Sequence, residues 1–124
     1  MPRIDVIYFM DDTGFVPLLA WMDKQTPAVQ NKGLERIERL TENGHELRRP
    51  HADTLTGGLH ELRFKSDSSQ VRILYFFHGR TIAVLTGGLK KNCEKVPQAE
   101  INHALDLKRR FEACPEHHTY KEEP

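Results

Sequence analysis

Between His45 and Lys95 the chain carries nine lysines and arginines, at positions 48, 49, 63, 65, 72, 80, 90, 91 and 95, against five acids at 46, 53, 61, 67 and 94. The acidic excess lies in the flanks, because Lys plus Arg and Asp plus Glu each total 18 over the chain. A net charge of zero exerts no overall pull on nucleic acid or membrane, so any electrostatic function has to be local. The chemistry open to such residues is recognition of anions, since guanidinium and ammonium groups hold a fixed positive charge and present several donors at once. Within Leu59 to Lys65, Glu61, Arg63 and Lys65 alternate with Leu62 and Phe64. In a strand that alternation sends Arg63 and Lys65 to the face opposite Leu62 and Phe64, where they can reach a ligand. An exposed Arg or Lys on a half-solvated sheet is also, often, only a solvated side chain. What separates the two is the set of elements around them.

At 124 residues, 38% hydrophobic and 29% charged, the chain reads as one domain spanning 1–124 with a single packed core. Period-2 alternation over Ile4 to Phe9 predicts a first strand near a sheet edge. Phe15, Leu18, Leu19 and Met22 have the spacing of an amphipathic helix. Thr26 and Pro27 supply an N-cap and a first-turn proline for a second helix with an apolar stripe of Leu34, Ile37 and Leu40, ended by Asn43-Gly44. Residues 45 to 57, polar and containing Pro50, predict a loop. Three β-rich runs follow, Leu59 to Lys65, Val71 to Phe77 and Thr81 to Leu85. The turns between them fall at Ser66 to Ser69 and His78 to Arg80, and together they predict an antiparallel meander. Tyr75 shares a parity with Ile73 and Phe77, and His60 shares the core-facing parity of Leu62. Pro97 opens a last helix with Ile101, Ala104, Leu105, Lys108 and Phe111 on one side. Residues 116–124 predict a frayed polar tail. LTGGL occurs at Leu55 to Leu59 and again at Leu85 to Leu89, but the flanks differ and no repeat is inferred. The fold class expected is α+β, with N-terminal helices packed on a small antiparallel sheet and a C-terminal helix.

No signal-peptide pattern opens the chain, and the longest apolar run, around Phe15 to Met22, is too short to span a bilayer. The expected location is the cytosol. Cys93 and Cys114 form no CxxC pair and no four-ligand set, which predicts free thiols and no metal site.

Three segments, GLHELRF (Gly58 to Phe64), QVRILYFF (Gln70 to Phe77) and TGGLKKNCEKVPQAEI (Thr86 to Ile101), together resemble the RelE/ParE toxin superfamily, in particular its HigB-type, phage Gp49-like branch. The resemblance is close from Leu59 to about Phe111 and extends in order and length to the N-terminal helices. It implies a type II toxin that cleaves messenger RNA on the ribosome and is held inactive by a small helix-turn-helix antitoxin. No cofactor or metal is implied, because the RNA supplies its own nucleophile, the 2′-hydroxyl. The protein has to align that group, help remove its proton and stabilise the charge building on phosphorus. The resemblance places Arg63, Arg72 and Lys91 at phosphate contact and transition-state charge and Lys95 at a later lysine position; Lys65, Lys90, Lys95 and Arg80 are the further cations expected to bind RNA.

The chain departs from the family pattern where proton transfer is concerned. The frequent histidine is Gly87 here, the following phenylalanine is Leu89, and the second motif lysine is Asn92. His60, in the place of a family aromatic, titrates near neutral pH and is the candidate base, although its parity is core-facing. Glu61 is expected to pair with Arg63 or Arg72. Two alternatives stay open: a ParE-like inhibitor of DNA gyrase that cleaves nothing, and a non-catalytic phage or mobile-element binding protein of the same fold.

Overall fold

A computed structural model describes residues 3–66, 68–91 and 95–121, with the backbone alone at 91. The chain runs through β1 (Asp5–Phe9), α1 (Pro17–Asp23), α2 (Pro27–Asn43), β2 (Ala52–Thr54), β3 (Leu59–Ser66), β4 (Ser69–His78), β5 (Ile82–Lys91), α3 (Gln98–Ala113) and β6 (Thr119–Tyr120). Single 3-10 turns occupy Gly44–Glu46 and Pro115–His118. Thr26 caps α2 as its type predicts: its hydroxyl accepts the Val29 N–H at 3.3 Å, and Pro27 occupies the first turn, where no N–H is missed.

The six strands form one sheet in the order β2-β3-β4-β5-β1-β6. β3, β4 and β5 make the expected antiparallel meander. β1 joins β5 in parallel, from Asp5 opposite Ile82 to Tyr8 opposite Leu85, so the sheet is mostly rather than wholly antiparallel.

Strand alternation divides the core in two. One set, including Leu62, Phe64, Val71, Ile73 and Tyr75, faces Leu18, Met22, Val29 and Leu40 of the helix pair α1 and α2. The other, including Leu59, Leu74, Phe76, Val84 and Leu89, faces Ala104, Leu107 and Phe111 of α3. Burying each large side chain contributes roughly 1.5–3 kcal/mol, so both helical layers hold the sheet firmly.

Beyond the three residues covered by β2, the outer edge of β3 is met by side chains of α2. Arg36 Nε donates to the Arg63 carbonyl at 3.0 Å and Lys32 Nζ donates to the Lys65 carbonyl at 2.8 Å.

Several expectations need correction. Residues 45 to 57 are not all loop, for Ala52–Thr54 pair with Leu62 to His60. Three residues are too few for alternation to register in the sequence. The third meander strand continues past Leu85 to Lys91, through Gly87 and Gly88. Glycine weakens a strand unless something needs the space, and here the Trp21 ring lies where a Gly88 Cβ would sit, 2.5 Å from its nearest atom. On α2 the buried residues are Val29, Gly33 and Leu40, while Leu34 is 53% exposed; Phe15, ahead of α1, is 51% exposed. Residues 116 to 120 are folded rather than frayed. His118 is buried, stacks on Phe9 with ring centroids 4.9 Å apart, and sets its Nδ1 2.7 Å from the Met10 carbonyl oxygen. Of the expected tail, Lys121 follows β6 outside any element and 122–124 lie outside the described residues, as do Asn92 and Cys93. No helix among the described residues is long and apolar enough to cross a membrane.

Candidate functional site

Alternation places Glu61 and Arg63 of β3 and Arg72 of β4 on the sheet face that α3 covers, and the register sets Arg63 directly opposite Arg72. Like charges so placed repel unless an anion separates them. Glu61 supplies it. One carboxylate oxygen lies 3.1 Å from Arg72 Nε, in an ion pair rather than an aligned hydrogen bond, and the other 3.5 Å from Arg63 Nη1. Arg63 Nη1 also lies 3.5 Å from Asp53 Oδ2, which Arg49 approaches to 2.7 Å. The result is an alternating chain, Arg49, Asp53, Arg63, Glu61, Arg72, with three guanidiniums to two carboxylates.

The two central arginines differ in availability. The Arg72 side chain is only 5% exposed, and its donors point inward, Nη1 to the Val71 carbonyl at 3.1 Å and Nη2 to Gln70 Oε1 at 2.6 Å. Arg63 is 20% exposed and opens on a cavity of about 340 Å³ that Arg49, Asp53, Glu61, Lys95 and Gln98 also line. A second cavity of about 260 Å³, shared by Arg63, Arg72, Lys65 and Arg36, adjoins the same side chain. Burial pushes the Glu61 carboxyl above its usual value, while Arg72 and Arg63 pull it back. Asp53 is held below the usual range by hydrogen bonds from Arg49 and the Thr54 N–H.

Of the residues singled out in the sequence, Arg63, Arg72, Lys65 and Lys95 are brought together. Lys65 stands opposite Gln70, one step from the arginine pair, and Lys91 occupies the β5 position opposite Gln70 on its other side. Lys90 is exposed and opposite Val71, on the parity of the helix-pair face. Besides Lys90, two more residues are not brought to the group. Arg80 follows β4 at its far end, with Arg72 and His78 separated by roughly 20 Å of strand. His60 points to the other face, stacked on Tyr75 at 5.2 Å and edge-on to Phe77 at 5.0 Å. The core-facing parity of His60 is thus what the fold realises, and no imidazole among the described residues lines either cavity beside Arg63. The residues that sequence reasoning missed are Arg49, Asp53 and Gln70. The first two belong to the undetected β2 segment, and Gln70 carries no charge that would draw notice.

An anchored arginine beside a reachable one, on a meander backed by helices, defines a small α+β protein with a cationic face. Residues 20–109 match the family described as Phage derived protein Gp49-like (DUF891), and the chain belongs to this family of RelE/HigB-type toxins. No curated protein matches the chain.

Proposed function

We propose that the chain is the toxin of a type II toxin-antitoxin module and acts as a metal-independent endoribonuclease on messenger RNA at the ribosome, restrained by a helix-turn-helix antitoxin. Family membership supports the toxin. The observation that carries the nuclease reading is the cross-strand pair Arg63 and Arg72, clamped by Glu61 at the wall of a cavity that Lys95 also lines. In this reading a phosphodiester enters that cavity, Arg63 and Lys95 neutralise its oxygens, and Arg72 positions Glu61 and Arg63 without touching RNA. The 2′-hydroxyl attacks the adjacent phosphorus as the P–O5′ bond breaks, giving a 2′,3′-cyclic phosphate and a 5′-hydroxyl that takes up one proton for the one the 2′-hydroxyl loses, and held donors favour the more highly charged transition state over the ground state. Two groups lining the cavity can accept the hydroxyl proton, Glu61 and Asp53. Burial raises Glu61, the direction that makes a stronger base, whereas hydrogen bonding from Arg49 and Thr54 keeps Asp53 weak.

The test is purified protein added to ribosomes programmed with message. Cut transcripts are expected, with Arg63→Ala lowering the rate about 100-fold, the scale of one lost oxyanion donor. Intact transcripts under these conditions refute the nuclease reading. Gly87, standing where the family resemblance implies a histidine, favours a second reading, a gyrase inhibitor of the same fold whose basic face is a docking surface. DNA-damage signalling on expression without RNA cleavage would select it.

A further inference from the structure

On the helix-pair face of the sheet, across β2 from Arg63, lies a cavity of about 390 Å³ that the nuclease reading leaves unused. Its size falls within the range of small-ligand sites. Its wall is aromatic: His45 stacks on Phe77 with ring centroids 3.7 Å apart, and His60 stacks on Tyr75. Tyr75 is buried, whereas His45 is exposed and His60 and Phe77 are half-buried, so these three rings face whatever enters. Its rim is cationic, formed by Arg48 and Arg49. Arg49 is engaged by Asp53, but the side chain of Arg48 makes no hydrogen bond or ion pair among the described residues.

Flat rings beside guanidiniums select for a ligand that is both planar and anionic. A plain hydrocarbon would leave the arginines without a partner, a cation would be repelled by them, and a simple oxyanion would leave the rings unused. Base stacking on aromatic side chains combined with arginine at the backbone is the general solution for single-stranded nucleotides. We propose that this cavity is a nucleotide subsite, in which a base stacks on His45 and His60 and the attached phosphate is held by Arg48 and Arg49. Burial, and then the neighbouring His45, hold His60 below its ordinary pKa, so its ring is neutral at pH 7 and offers the base edge one donor and one acceptor.

The nucleotide can be free or part of a strand, and the geometry bears on the difference. Arg49, Asp53 and Thr54 line both this cavity and the one at Arg63, so β2 forms a ridge between them. A strand crossing that ridge would set a phosphodiester at Arg63 and a neighbouring base among the rings. In that form the subsite rests on the nuclease reading and would shape its base preference; nucleotide binding by itself does not rest on it.

The full chain should be titrated at low salt with the four nucleoside 5′-monophosphates, with inorganic phosphate, and with 2′-O-methyl trinucleotides that cannot be cut, following the histidine ring signals by NMR. Monophosphates are expected to shift His45 and His60 and to bind at least tenfold tighter than phosphate. His45→Ala and Arg48→Ala should each weaken them about tenfold, and His45→Phe should restore the stack. Trinucleotides binding tenfold tighter than monomers support a strand subsite, and equal binding overturns that form in favour of a free nucleotide. Absence of shifts at both histidines at millimolar nucleotide, or full affinity in His45→Ala, overturns the proposal. If nucleotides bind as described while programmed ribosomes yield no cut message, it is the nuclease reading alone that fails.

Discussion

Two guanidiniums depend on one buried carboxylate. Removing it leaves Arg72 almost without solvent and short of its counter-charge, so Glu61→Ala should lower stability by about 3–5 kcal/mol in urea unfolding. Glu61→Leu combined with Arg72→Met, which removes both charges while keeping volume, should recover most of that loss. Full stability in Glu61→Ala would mean that the pair is not desolvated. Titration of the imidazoles gives a second prediction. Burial holds His60 and His51 below the ordinary 6.5, so the unfolded chain binds more protons than the folded one just below that pH. Stability should therefore fall as pH drops from 7 through 6.5, and level off below the folded values. His60→Phe, which retains the ring contacts, should show a smaller fall when melting is followed from pH 7.5 to 5. At this scale alternation was a sound guide: it put Arg63 with Glu61 away from Leu62 and Phe64, and Tyr75 in the core. It failed at Leu34, because helical spacing identifies a stripe without saying how much of it the neighbouring layer covers.

Among the elements, the meander and the three helices were legible because each has a long periodic pattern or a cap. β2 and β6, of three and two residues, were not, since pairing across space rather than local pattern makes them strands. β5 was read as half its length because Gly87 and Gly88 look like a turn. Their roles are opposite. A Cβ at Gly87 meets nothing within 4 Å, so Gly87→Ala should change stability by less than about 0.5 kcal/mol. A Cβ at Gly88 would press into the Trp21 ring, and Gly88→Ala should cost about 1–3 kcal/mol. Thermal melts of the two variants side by side check the contrast, and equal effects would mean that Trp21 moves aside freely. The candidate site was partly legible for the same reason: its β3 and β4 residues come from clear strands, while Arg49 and Asp53 come from a segment with no readable period.

For the molecule as a whole, zero net charge confines any affinity for a polyanion to the patch itself. With Arg63, Lys65 and Lys95 as the phosphate contacts, binding of an uncuttable single strand should fall with salt at a log-log slope of about −2. A slope near −6, measured by fluorescence anisotropy, would indicate a far wider footprint than this face provides.

The way α2 meets the sheet bears on how copies of the protein behave beside one another. A strand rim with unsatisfied carbonyls is an invitation to edge-to-edge growth. The ammonium of Lys32 and the guanidinium of Arg36 occupy two carbonyls at the very stretch that carries Arg63 and Lys65. Arg36 also lines the cavity that Arg63, Lys65 and Arg72 share, so the group that deters a neighbouring strand adds to the positive charge beside the arginine pair.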